Sequence, residues 1–238
     1  MRIFYDVDTQ IDFMNRDGAL YVPDAELIKP NLSTLTKYAT EKNIPMVGSM
    51  DRHFGTEKYK HREAELQRWE GPFPDHCMDG TIGQEKIAET DVWYNEGFFD
   101  EKPKGGNNIY MTHALDNTVD RITLAKGITK ITEPVSHFKR YTVGLFFEKQ
   151  SYDVFTNPAI SLFLDFADVK EAIVYGVATD YCVKAAVLGM QERGIQCYVV
   201  EDAIKGVAHE TTKKALDEMK AAGAQFVNAS QVLEDRVK

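Results

Sequence analysis

The residue in this chain best suited to covalent chemistry is Cys182, within Gly176-Val177-Ala178-Thr179-Asp180-Tyr181-Cys182-Val183. An apolar run over 171–177 reads as a strand, which puts Cys182 in the opening turn of the next helix, with Thr179 or Asp180 as its cap. A helix N-terminus favours an anion and a nearby lysine adds to that. The thiol is therefore expected below its free value of ~8.5. Backbone N–H groups of the same turn, at Ala178 and Cys182, could hold an oxyanion. The plain alternative is a buried structural thiol, as most free cysteines are. Cys197, inside a strand, and Cys77, beside His76, are read that way.

A nucleophilic thiol needs a neighbouring proton acceptor. Asp6 and Asp8 alternate with Tyr5 and Val7 along the first strand, so both point to one side. Asp12 follows in Gln10-Ile11-Asp12-Phe13. Asp8 lies nearer the carboxyl end of the strand, but the pattern itself does not choose among the three, and each could be a turn cap. Asp51-x-His53, with His76 further on, offers one carboxylate and two imidazoles, a facial set for Zn, Fe or Mn that leaves positions open. The alternative is polar surface. His61, Glu63 and Glu65 lie in the same loop and could add a ligand, whereas His113, His137 and His209 carry no such pattern.

Apolar periodicity predicts strands over 2–8, 44–50, 143–149, 171–177, 195–200 and 224–228. Helices are predicted over 24–42, 158–167, 180–193 and 210–222, with Gly194 and Gly223 where C-caps belong. Strands alternating with helices mean βαβ units and a mostly parallel sheet. In such a sheet ligands bind beyond the carboxyl ends of the strands. There the sequence places Asp6 and Asp8, Asp51-Arg52-His53, Lys149, the 176–182 run and Glu201-Asp202. Two stretches break the rhythm. Residues 51–85 lack a clear period. Residues 91–141 are long for a connection and hold a turn cluster at 103–108 and a helix at about 115–126.

The chain has 238 residues, Lys+Arg 28 against Asp+Glu 37, a formal net charge of −9, and 43% hydrophobic residues. That length sustains a full core without staples. The acidic balance argues against nucleic acid and anionic membranes as partners. Three widely spaced cysteines without a CxxC argue for a reducing compartment. No apolar run approaches the ~20 residues of a membrane span. Acidic residues come too early in 1–8 for a signal peptide. The expectation is a cytoplasmic globular protein.

Taken together, five ordered motifs resemble the isochorismatase-like cysteine hydrolases, and within them most the nicotinamidases. They are Val7-Asp8-Thr9-Gln10-Ile11-Asp12-Phe13 with Gly18 to Pro23, Asp51-x-His53 with Phe73 to Glu85, Glu148-Lys149-Gln150-Ser151-Tyr152-Asp153, Gly176 to Val183, and Glu201 to Gly206. The resemblance implies a three-layer α/β/α fold with a six-stranded parallel sheet of order 3-2-1-4-5-6, a single domain over 1–238 with an insertion at about 91–141, and a cis peptide between Val177 and Ala178. It implies Asp8, Lys149 and Cys182 as catalytic triad, the N–H groups of Ala178 and Cys182 as oxyanion hole, and Asp51, His53 and His76 as ligands of one divalent metal, zinc foremost with Fe or Mn as alternatives. Phe13, Phe73 and Tyr152 become contacts for a small aromatic amide, hydrolysed through a thioester, and a homo-oligomer is expected. Many nicotinamidases have Asp-Trp-His-Pro where this chain has Asp51-Arg52-His53-Phe54, and often Trp where it has Phe73; Arg52 replaces a flat apolar ring with a charge, so a pocket wall different from theirs is expected. Two alternatives remain: a metal-independent relative acting on another small amide, carbamoyl compound or enol ether, and a non-catalytic binding or assembly protein on the same fold.

Overall fold

The computed structural model of the chain describes residues 1–91, 108–132 and 144–237. Seven strands form one sheet: β1 (Arg2–Val7), β2 (Met46–Asp51), β3 (Ile109–Met111), β4 (Gly144–Lys149), β5 (Glu171–Val177), β6 (Gln196–Lys205) and β7 (Gln225–Val227). Their order is β3-β4-β2-β1-β5-β6-β7, and every pairing is parallel. The six expected strands stand in the expected order. The sheet has seven strands rather than six because Ile109–Met111, inside the stretch read as an insertion, adds an edge strand to β4. Three residues are too short a run to show a period in sequence.

Both faces of the sheet are covered, which is why its strands read as continuous apolar runs. Alternation sends Tyr5, Phe147 and Val174 to one face and Phe4, Phe146 and Tyr175 to the other. The first face packs on α3 (Arg121–Thr132), α4 (Pro158–Phe166), α5 (Lys184–Glu192) and α6 (His209–Ala221) through Leu124, Phe163, Val187 and Met219. The second packs on α1 (Ile11–Met14), α2 (Lys29–Lys42) and α7 (Ala229–Leu233) through Met14, Leu32, Leu35 and Val232. Each such side chain contributes roughly 1.5–3 kcal/mol on burial.

Several boundaries differ from the sequence reading. The helix expected at 24–42 opens as a 3-10 turn, Ala25–Ile28, before α2. The helix expected at about 115–126 begins later, at Arg121, because the Asp120 carboxylate accepts the amides of Ile122 and Thr123 and caps it there. β6 runs on to Lys205, so Glu201 and Asp202 lie within the strand rather than at its end. Asp202 instead accepts the amide of Ala229 at the start of α7. Gly194 and Gly223 follow α5 and α6 with φ of +74° and +97°, the left-handed conformation that ends helices. His137, Val143 and most of the 103–108 turn cluster lie outside the described residues. No helix among the described residues is long and apolar enough to cross a membrane.

Candidate active site

Sheet register sets the floor of the site. Asp51 and Lys149 are partners at the carboxyl ends of β2 and β4, and Val7 pairs with Ser49. Asp8 follows β1 with φ +47°, so the alternation that would align it with Asp6 stops there. Its Oδ1 accepts the Ser49 hydroxyl at 2.7 Å. Asp6 takes different partners: it accepts the Thr9 hydroxyl and pairs with the buried Lys86 amine, each at 2.8 Å. Asp12 accepts the amides of Ala19 and Cys77 and ties two loops together. Of the three aspartates, only Asp8 reaches the thiol.

Lys149 gathers the rest. Its Nζ lies 2.8 Å from Asp8 Oδ2, donates to Asp51 Oδ1, and donates to Cys182 Sγ at 3.5 Å. All three expected triad members are therefore in contact, and all are buried, Cys182 being 9% exposed. Burial lowers the Lys149 amine's affinity for its proton, but the charges of Asp51 and Asp8 outweigh that and hold it protonated.

The thiol departs from the sequence expectation. Burial raises the Cys182 thiol well above its ordinary value; Lys149 pulls it down, while the charges of Asp8 and Asp51 add to burial. Nor does Cys182 open a regular helix. Thr179–Val183 is a π-helical turn ahead of α5, a form often found at functional sites. The Ala178 carbonyl takes the amides of Tyr181 and Val183, and the Val177–Ala178 peptide is cis, as expected. Neither Thr179 nor Asp180 caps this turn. Asp180 instead accepts the amides of Val207 and Ala208 and the Thr211 hydroxyl at the start of α6. Burial raises the Asp8 carboxyl above its ordinary range, with Lys149 opposing and Asp51 adding.

Beside the triad, ligand atoms of Asp51, His53, Glu65 and His76 lie within 4.8 Å of one another. His76 Nδ1 meets the Pro74 carbonyl at 2.7 Å, which leaves its Nε2 free, 3.6 Å from Asp51 Oδ2. His53 Nε2 lies 3.6 Å from Glu65 Oε1 and 3.9 Å from Asp51 Oδ2. Both ring nitrogens of His53 are buried without a hydrogen-bond partner among the described residues. Burial, with His76 and Lys149 nearby, brings His53 down to about 3, so its ring is neutral. Burial and the Asp51 charge raise Glu65 to about 7. Asp51 is pushed up by burial, but Lys149 and the two imidazoles hold it below the carboxylate range. Two imidazoles, two carboxylates and an orphaned buried nitrogen fit a divalent ion. Asp8, Asp51 and Cys182 also cluster, but the Lys149 amine already supplies their cation.

The pocket above is lined by Phe13, Phe73, Tyr152, Ala178 and Cys182, all expected at the site, together with Asp51, Glu65 and His76. Leu20, Val22, Tyr181 and Val207 complete it. Phe73 stands edge-on to Tyr181 at 5.4 Å, and Phe13 lies 5.4 Å from the His76 ring. Tyr181 was visible in sequence as the neighbour of Cys182, but Val207 carried no signal. Arg52, which stands where many nicotinamidases have a flat ring, does not line the pocket. Its guanidinium pairs with Glu148 at 2.7 Å and with Asp79 at 2.9 Å and lies over the Phe54 ring.

Residues 123–231 match the Isochorismatase domain model. Over 62 residues the chain is 37% identical to the nicotinamidase/pyrazinamidase of Mycobacterium tuberculosis, and over 59 residues 42% identical to the nicotinamidase of Escherichia coli. These alignments cover 26% and 24% of the chain and span only 33% and 28% of those curated relatives. The crystal structure of the Pyrococcus horikoshii pyrazinamidase in complex with zinc superposes with a TM-score of 0.66 at 25% identity, covering 95% of this chain and 98% of that one. In fold, and in the segment that carries its lysine and its cysteine, the chain resembles the isochorismatase-like cysteine hydrolases, and among them the nicotinamidases and pyrazinamidases.

Proposed function

We propose that this protein is a metal-containing cysteine amidohydrolase that cleaves nicotinamide, or a closely related small aromatic amide, to the acid and ammonia. The observation that carries the reading is the contact of one buried ammonium, Lys149, with Asp8, Asp51 and the Cys182 sulfur. A base and a fixed cation meet the nucleophile Cys182 behind the pocket that it lines together with aromatic rings.

The thiol rests protonated. As the substrate carbonyl reaches Cys182, the thiol proton passes to Asp8 and the sulfur bonds to the carbonyl carbon. Lys149 stays charged and stabilises the sulfur as the proton leaves. The N–H groups of Ala178 and Cys182 face the oxyanion, a contribution of roughly 3–4 kcal/mol per strong donor. Asp8 returns the proton to the amine, which departs as ammonia and leaves a thioester. Asp8 then takes a proton from water, hydroxide adds to the thioester, and the sulfur leaves with that proton as the acid is released.

Asp51, His53, Glu65 and His76 would hold one divalent ion, zinc first and Fe or Mn as alternatives, which supplies a Lewis-acid site for a heterocyclic ring nitrogen. Apart from His76, no basic side chain is among the described residues that line the pocket, while Asp51 and Glu65 are acidic. A carboxylate-bearing substrate such as an acidic enol ether would find no arginine or lysine among the described lining residues to pair with, whereas an uncharged ring amide needs none. Phe13, Phe73 and Tyr152 supply flat contacts for that ring.

Ammonia release from nicotinamide and pyrazinamide tests the proposal. Cys182→Ala is expected to lower it by at least ~10⁴-fold with the fold intact. Near-native turnover by that variant ends the reading.

A further inference from the structure

Two glutamates of the stretch Arg62-Glu63-Ala64-Glu65 approach opposite sides of one imidazole. Glu65 Oε1 lies 3.6 Å from His53 Nε2, and Glu63 Oε1 lies 3.9 Å from His53 Nδ1. We infer that Glu63 is a positioning residue for the metal site rather than a ligand: its buried carboxylate, seated against the turn that carries His53, fixes that ring with Nε2 turned toward Asp51 and Glu65. The inference rests on the metal site proposed above.

The Glu63 side chain is wholly buried, and each of its oxygens already has a backbone donor. Oε1 accepts the amide of Phe54 and Oε2 that of Gly55, the latter at 2.9 Å. These are the two residues that follow His53, and Gly55 has a φ of +64°. Glu63 therefore clamps the turn on which His53 stands. A carboxylate oxygen can accept two donors, so Oε1 has room for one more. The buried Nδ1 of His53 has no hydrogen-bond partner among the described residues. An ion held by Nε2 obliges the ring proton to sit on Nδ1, where it faces Glu63. An approach of about 1 Å closes that gap to a hydrogen bond. An imidazole ligand backed by a carboxylate is fixed in tautomer and orientation, and is a better donor to its ion.

Glu63 is itself anchored from outside the loop. The guanidinium of its neighbour Arg62 donates to the carbonyls of His113, Ala114 and Leu115 and to the Asn117 side chain. The segment after β3 thus holds the backbone from which Glu63 reaches His53. That link gives part of the stretch read as an insertion a role at the site, though no described residue of it lines the pocket.

The test is zinc affinity of the purified full chain, measured by competition with a chromogenic chelator for the native protein and for Glu63→Gln. Glu63→Gln is expected to bind zinc roughly 10–100-fold more weakly, while the cobalt-loaded form keeps an absorption spectrum of unchanged coordination number. Unchanged zinc affinity in folded Glu63→Gln overturns the positioning role. A cobalt spectrum showing one ligand fewer overturns it in favour of direct ligation. Should Glu63→Gln fail to fold, the nitrogen-15 spectrum of the zinc-loaded native protein decides. A His53 proton on Nδ1, shifted downfield by a carboxylate acceptor, is the expected result, and a proton on Nε2 overturns it. Failure of the native protein to take up zinc would overturn the metal site itself, and is read separately from any difference between the two proteins.

Discussion

Asp8, Lys149 and Cys182 stand at strand ends or in the first turn beyond one, whereas His53, Glu65 and His76 stand on the irregular stretch that follows β2, tied by the isolated bridges His53–Met78 and Leu66–Phe73. The first set is placed by sheet register: Lys149 faces Asp51 because β4 and β2 pair there, and Asp8 faces Ser49 because β1 and β2 pair there. The second set is placed by individual ties. The Gln10 side chain brackets the Asp51 backbone from both sides. His53 exchanges backbone bonds with Cys77 and Asp79. Arg68 holds Asp75 and the Gly55 carbonyl. A nucleophile set by register is fixed as rigidly as the core. The proposed ligand set, held by loop ties, would depend on each tie and on the ion proposed to unite them.

The largest effect that separates the two halves comes from Lys149, whose amine belongs to both through Asp8 and Asp51. Lys149→Met leaves the buried Asp8 and Asp51 carboxylates without the amine that bridges them. Breaking buried ion pairs in this way costs ~3–5 kcal/mol. Urea unfolding should show a loss of that order, and ammonia release should fall at least ~10³-fold. A variant that loses activity with its stability intact would mean that Asp8 or Asp51 is neutral in the native protein, and that the register-built half is held by packing alone.

A smaller effect sharpens the loop-built half. Glu65 sits at about 7 because of burial and the Asp51 charge, and His76 is raised because its contact with Asp51 outweighs burial. When protonated, each carries a proton that must leave before a cation can bind. His53, at about 3, has none to lose near neutrality. Zinc affinity should therefore weaken as pH falls from about 7, with up to two protons released per ion. Glu65→Gln should release one fewer, as read by titration calorimetry in buffers of different ionisation heat. Equal proton release by both proteins would remove Glu65 from the ligand set.

The same division governs what was legible in the sequence. Six strands could be read as apolar runs; their order, and Asp8, Lys149 and Cys182 as a set, came only from the resemblance of the ordered motifs. β3 was not readable, since three residues make no period, and Asp120 rather than periodicity fixed the start of α3. The partition of labour between Glu63 and Glu65 was invisible, because both are acidic residues of one loop and only their sides of the His53 ring differ. The direction of the Cys182 shift was misjudged for a different reason. Charge and helix geometry can be inferred from neighbours in sequence, but the burial that dominates the thiol comes from the assembled pocket.

Arg52 offers the smallest and most selective test. It stands between Asp51 and His53, where a residue touching the substrate would be expected, yet it turns away from the pocket to Glu148, whose side chain is buried. Arg52→Gln removes the partner of that carboxylate while leaving the pocket lining untouched. Because the guanidinium is partly exposed, the loss should be discounted to ~1–2 kcal/mol in urea unfolding. KM for nicotinamide should stay within about twofold, since a uniform binding contact alters KM only if it touches the ligand. A tenfold rise in KM with unchanged stability would put the guanidinium back in the wall. The loop would then change shape around its substrate, a freedom that the strand-borne half of the site does not have.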